Sequence, residues 1–154
     1  MLVLTSPVTG GAQTGFTTPT YTHALDISPA VNARQVYVTA VGGAGNTPLL
    51  HSASSPFFTS VWRPKVFAQL GKPHPVTGLL TSVPMNTYKV TTGKGVTPLA
   101  GQPSKTATMS TLMNVPAGSD IADPVNLRAM ISMHIGCLNQ LSAELGNSAV
   151  SGAI

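Results

Sequence analysis

The groups that could do acid–base or nucleophilic chemistry are few in this 154-residue chain, and they are poorly spaced for it. There are four carboxylates (Asp26, Asp120, Asp123, Glu144), four histidines (His23, His51, His74, His134) and one cysteine, Cys137. A hydrolase needs a base beside a nucleophile, or two carboxylates across a scissile bond. Asp120 and Asp123 are neighbours, but Asp123 precedes Pro124. An acidic side chain before a proline is a helix start, and both aspartates suit the positive end of a helix dipole. The histidines are isolated from one another, and His134 projects onto an apolar helical stripe, where a packed, hydrogen-bonded imidazole is the reading. A single cysteine excludes an internal disulfide and a cysteine metal cluster. It reads as a semi-buried thiol on a helix flank, with a bond to another copy as the second reading. Gly93-Lys94-Gly95 lacks the spacing, and the Ser or Thr after the lysine, of a phosphate loop. Catalysis, metals and cofactors are not expected.

The remaining chemistry is cationic. The net charge is +4, yet charged residues make up only 8% of the chain, against about 25% in an average globular protein. No acidic residue lies between Asp26 and Asp120, while that interval holds Arg34, Arg63, Lys65, Lys72, Lys89, Lys94 and Lys105. Cations without internal partners attract polyanions, and the attraction becomes specific if they share one face. A surface of Thr, Ser, Asn, Gln and small apolar residues suits contact with further copies, because interface centres are depleted in charge.

The elements that would position these residues are strands followed by helix. The length fits a single domain (1–154) with enough residues for a sizeable core, strand-rich over 1–116 and helical over 123–146. Strands are expected at Phe16 to Thr22, Arg34 to Val41, Phe57 to Leu70 (with Pro64 demoting part of it), Met85 to Thr92 and Lys105 to Val115. Loops are expected at 42–56, 71–84 and 93–104. In the last strand Ala107, Met109, Met113 and Val115 alternate with Thr106, Thr108, Ser110 and Asn114, which describes one covered and one wet face. The period then changes: Leu127, Ile131, Ile135, Leu138, Leu141 and Leu145 recur at helical spacing. Gly136 marks a bend or a break into two helices, and Gly146-Asn147 ends the helix. The Met109/Met113/Val115 face offers the stripe a surface. Met1 to Pro7 carries no basic segment and too short an apolar run for a signal peptide, and no apolar run reaches the ~18 residues of a membrane span. The plan is α+β, with strand edges that pairing between two copies would satisfy.

Three segments resemble the coat proteins of single-stranded RNA bacteriophages of the levivirus type. Thr87-Tyr88-Lys89-Val90-Thr91-Thr92 resembles the family's central strand. Met109-Ser110-Thr111-Leu112-Met113-Asn114-Val115-Pro116 resembles its last strand with the closing proline. Ala122-Asp123-Pro124-Val125-Asn126-Leu127-Arg128-Ala129-Met130, leading to His134-Ile135-Gly136, resembles the helix that follows. The resemblance implies an N-terminal hairpin, a five-stranded antiparallel sheet and C-terminal helices, in a homodimer whose chains interlock. It implies dimers closing into an icosahedral shell around single-stranded RNA, assembled in the bacterial cytoplasm, with the sheet inward and no membrane partner. The positions facing RNA, and contacting an RNA hairpin, would be Thr87, Lys89 and Thr91 with Thr106, Thr108 and Ser110; Arg63 and Lys65, two apart on a strand, point to one side and would extend that surface. Some members carry Tyr and Asn where Thr108 and Ser110 stand, so phosphate contacts are favoured here over base reading. The dimer contacts would include Leu127, Ile131, His134, Ile135 and Leu138, and a symmetry-axis loop would hold Gly93, Lys94, Gly101 and Gln102. Two other readings are a monomeric single-strand-binding module, with Phe57, Phe58 and Trp62 either stacking bases or forming core, and a minor capsid or fibre subunit.

Overall fold

The computed structural model describes residues 4–45 and 47–153. The apolar start of the N-terminal run and Asn46 of the expected 42–56 loop lie outside them. Six strands form one antiparallel meander in chain order: β1 (Val8–Thr9), β2 (Thr20–Leu25), β3 (Ala33–Gly42), β4 (Phe57–Trp62), β5 (Met85–Val96) and β6 (Lys105–Pro116). Helices α1 (Ser119–Ala122), α2 (Pro124–Gln140) and α3 (Ser142–Ser151) follow. The α+β plan, with sheet first and helices last, is the one expected. The strand count is six rather than five, because the β1–β2 hairpin belongs to the same sheet.

Several boundaries move for identifiable reasons. β2 begins at Thr20, after the fully buried Pro19, since proline has no N–H for the ladder. β4 stops at Trp62, just before Arg63-Pro64. Arg63 and Lys65 therefore lie in the connection after the strand, and the argument that two-residue spacing points them to one side does not hold. β5 continues through Gly93–Val96, which composition assigned to a loop, and the β5–β6 hairpin closes through 97–104. Gly93 and Lys94 are thus strand residues, while Gly101 and Gln102 stay in the connection. The helical break falls at Leu141 rather than Gly136, and α3 runs past Gly146-Asn147 to Ser151. Asp123 accepts a hydrogen bond from the backbone N–H of Asn126 at 3.3 Å, with Pro124 behind it, as the N-cap reading required.

Register assigns the two faces of the sheet. Lys89 pairs with Leu112 and Trp62, Thr91 with Ser110 and Ser60, and Gly93 with Thr108 and Phe58. With Thr87, Thr106, Asn114, Ala33 and Gln35 these make one face, rich in hydroxyls. The opposite face carries Val36, Val38, Thr59, Val61, Tyr88, Val90, Thr92, Lys94, Met109 and Met113. A bulge at Thr39, between the pairs Thr22↔Ala40 and His23↔Val38, reverses the alternation of β3 beyond it. This brings Val41 to the apolar face opposite Tyr21, whose ring meets Phe57 edge-on at 5.7 Å.

A core within the single chain is nearly absent. The buried apolar side chains among the described residues are Pro19, Ala33, Val38, Val115 and Ala117, and no helix residue is buried. The expected covering of the Met109 face by the chain's own helix is not found: Met109 is 56% exposed, and on α2 Ile135 is 60% exposed. His134 is exposed as well, so it is not the packed core histidine that the stripe suggested.

Candidate assembly and nucleic-acid interface

Two surfaces are candidates for contact. The first is the apolar face with its helices. A groove of about 320 Å³ on this face is lined by Leu4, His23, Leu25, Arg34, Val36 and Val61. The Nε2 atom of His23 is hidden there without a hydrogen-bond partner among the described residues, a costly state for a polar group unless something else completes the site. α2 leaves α1 beside β6, and the start of α3 that follows it is tied to the N-terminal loop: the Gln13 side-chain amide donates to the Ser142 carbonyl at 2.6 Å and to its hydroxyl at 2.7 Å. Between those ends the helix exposes Met130, Met133 and Ile135, while Leu127, Ile131, Leu138 and Cys137 are half-buried. The twelve-residue β6 is the outer strand of the sheet, hydrogen-bonded on its β5 side alone. A long unpaired edge of this kind is a template for another strand.

The second surface is the hydroxyl face. Thr87 donates to the Asn114 side chain at 2.7 Å, and Thr91 and Ser110 share a hydrogen bond of 2.9 Å. These pairs hold the strands in register and leave Lys89 between them. The Ser60 hydroxyl, 3% exposed, donates to Gln35, which donates onward to Asp26. That hydrogen bond, with a second from the Ile27 N–H, holds the Asp26 carboxyl below the usual aspartate range. Thr87, Lys89, Thr91, Thr106, Thr108 and Ser110 are thus brought to one face, as anticipated. The cations as a group are not. Lys89 is the strand-borne cation on this face, whereas Arg34, Lys94 and Lys105 fall on the opposite one. Arg63 lies with its guanidinium carbon 6.0 Å from the centre of the Phe67 ring, and Lys65 is exposed in the same connection.

Lys94 is the least ordinary of these cations. Its Nζ donates to the buried Ser55 hydroxyl at 3.1 Å and lies 5.1 Å from the Phe57 ring centre. The ring favours the charged form, but burial outweighs it and pulls the Lys94 ammonium below the ordinary lysine value of 10.5. The unfolded chain then holds this proton more tightly than the folded one. Stability is expected to rise with pH across the window between the folded and unfolded values. Urea midpoints at pH 8 and pH 10.5 should differ more for the wild type than for Lys94→Met. Equal differences would show that Lys94 does not contribute.

The chain thus carries an open outer strand, a groove with an orphaned imidazole and helices in which no residue is fully buried. Scans against protein-family models and curated proteins gave no match. Among solved structures, the chain is similar to the virus-like particle of bacteriophage ESE020, with 40% identity, 100% of each chain covered and a TM-score of 0.95. The chain belongs to the same family, that of bacteriophage capsid proteins. No helix among the described residues is long and apolar enough to cross a membrane, and no cluster of three or more metal-ligating side chains occurs among them.

Proposed function

We propose that this chain is a major coat protein: two copies interlock as a dimer, and dimers close into an icosahedral shell around single-stranded RNA in the bacterial cytoplasm. The observation that carries the reading is surface area. The chain exposes 10860 Å². A compact monomer of 15.8 kDa would expose about 7,300 Å², some 3,500 Å² less. Over two copies the excess is about 7,000 Å², at or beyond the upper end of the 2,000–5,000 Å² and more that obligate interfaces bury in total. Pairing two β6 edges would satisfy the open strand, and helices crossing onto the partner would cover Val90, Met109 and the His23 groove. Leu127, Ile131, His134, Ile135 and Leu138 are the α2 side chains assigned to that contact. The hairpin tip with Gly101 and Gln102, and the Gly93–Lys94 stretch leading to it, are assigned to contacts between dimers. The reading is tested by expressing the chain in bacteria and examining it by size-exclusion chromatography and negative-stain microscopy. Closed particles are expected, and a stable monomer of about 16 kDa would overturn it.

The hydroxyl face is the side we assign to RNA. A field of Thr and Ser with one lysine offers many neutral donors and one phosphate partner, so binding is governed by backbone contacts. Lys89→Ala is expected to weaken binding of a single-stranded oligonucleotide about tenfold and to flatten the log–log salt dependence by about 0.7, the loss of one phosphate contact. Unchanged affinity and slope in a filter-binding titration would remove Lys89 from the interface.

A further inference from the structure

We infer that Trp62 is the base-stacking residue of the hydroxyl face, and that with Lys89 it forms one site for an unpaired nucleotide. The inference rests on the assignment of that face to RNA and adds the ligand class and the residue that selects it. Trp62 pairs directly with Lys89, and Lys89 pairs with Leu112. An aromatic, a cationic and an aliphatic side chain therefore lie in one row across three strands, with hydroxyls of Thr87 and Thr91 on either side. Directly opposing residues on a face stand with Cβ atoms about 5 Å apart, so a base on the indole places its phosphate within a lysine's reach. Leu112, 62% exposed, extends the apolar floor of the row.

Among the described residues the indole has no aromatic or cationic partner, a state it shares with Phe58 and with Phe16 in the connection between β1 and β2. Tyr21 meets Phe57, Tyr37 meets His51, and Phe67 meets Tyr88 and Arg63. Phe58 lies where a Cβ on Gly93 would fall. Among the described residues Trp62 has no such partner, and its strand neighbour on the other side is the small Ala33. A tryptophan that only sealed the sheet would be expected to bury its ring and satisfy its N–H. Here the residue is part exposed, and its N–H is not among the hidden unpartnered atoms. Every base has a π-face, so stacking tolerates sequence. A duplex keeps its bases stacked on one another, so the site selects single strands. This gives a face without Tyr or Asn on β6 a means of holding bases without reading their edges.

Trp62 is the sole tryptophan in the chain, so its emission reports this site alone. Subunits freed of nucleic acid are titrated at low salt with a fluorescein-labelled ten-nucleotide oligoadenylate, reading tryptophan emission and label anisotropy together. Quenching with the same midpoint as the anisotropy change is expected, with no quenching by an RNA duplex. Trp62→Leu should lose roughly tenfold to a hundredfold in affinity, and Trp62→Tyr should recover most of it. Binding by anisotropy with unquenched emission, or wild-type affinity in Trp62→Leu, would overturn the Trp62 site and leave the face assignment standing. Absence of any RNA binding would overturn both. The emission readout uses the unaltered chain, so it holds even if a variant fails to fold.

Discussion

An Ile135→Glu chain is expected to lose assembly. Ile135 is 60% exposed in the isolated chain, so the exchange removes little from its own packing, and glutamate is a good helix former that keeps α2 intact. The cost falls on association. Burying an isoleucine side chain contributes about 1.5–3 kcal/mol, and placing an unpaired carboxylate in the same contact costs several kcal/mol more. A two-fold contact counts each change twice. Dimerisation should therefore weaken by at least about a thousandfold. Sedimentation velocity would show no closed particles, with the chain at about 16 kDa or unfolded for want of its partner. Particles of wild-type size would remove Ile135 from the interface. The same logic explains why the chain can expose Met130, Met133 and Ile135 together: an apolar patch of this extent on a free monomer would invite aggregation.

Gly95→Val is expected to have the opposite signature, damaging the fold before assembly is reached. A Cβ on Gly95 would lie 2.6 Å from the Ser55 Cα, 2.8 Å from its hydroxyl and 3.0 Å from the Pro56 Cδ. The first of these is backbone and cannot rotate away. The close approach is held by hydrogen bonds from the Gly95 N–H to the Pro56 carbonyl at 2.6 Å and from the Ser55 hydroxyl to the Gly95 carbonyl at 3.2 Å. Valine would push the 52–56 turn off β5, taking with it the support of Lys94 and the entry into β4. Overpacking of this kind costs about 3 kcal/mol or more, a large part of the 5–15 kcal/mol typical of a domain. A fall in melting temperature of roughly 10 °C or a loss of soluble protein is expected. Gly71→Ala, whose added methyl group meets nothing within 4 Å, serves as the control. A melting temperature equal to that of the control would show that the turn can move aside.

The parts of the fold that could be read from the residues were those governed by local rules. Alternation between Thr or Ser and apolar side chains marked β6, and Asp123-Pro124 marked the start of α2, because strand pleat and helix capping act over a few residues. Gly93-Lys94-Gly95 misled for the converse reason. Glycine and lysine are loop-formers by composition, but these glycines are required by Phe58 and by the Ser55 backbone, from distant parts of the chain. The bulge at Thr39 carries no Gly or Pro to announce it. The place of Trp62 beside Lys89 was not legible, because it depends on the register between β4 and β5, which no local pattern sets.

The amino-acid sequence by itself determined the order of strands and helices, the scarcity of catalytic groups and the low charge that suits self-association. These depend on side-chain type and on spacing within a turn or a pleat. Only the tertiary structure decided that the cations divide between two faces and that the apolar stripe of α2 finds no cover on its own sheet. Register between strands sets the first, and the path of the chain through space sets the second. Both depend on contacts between residues far apart in sequence, where no local pattern constrains them.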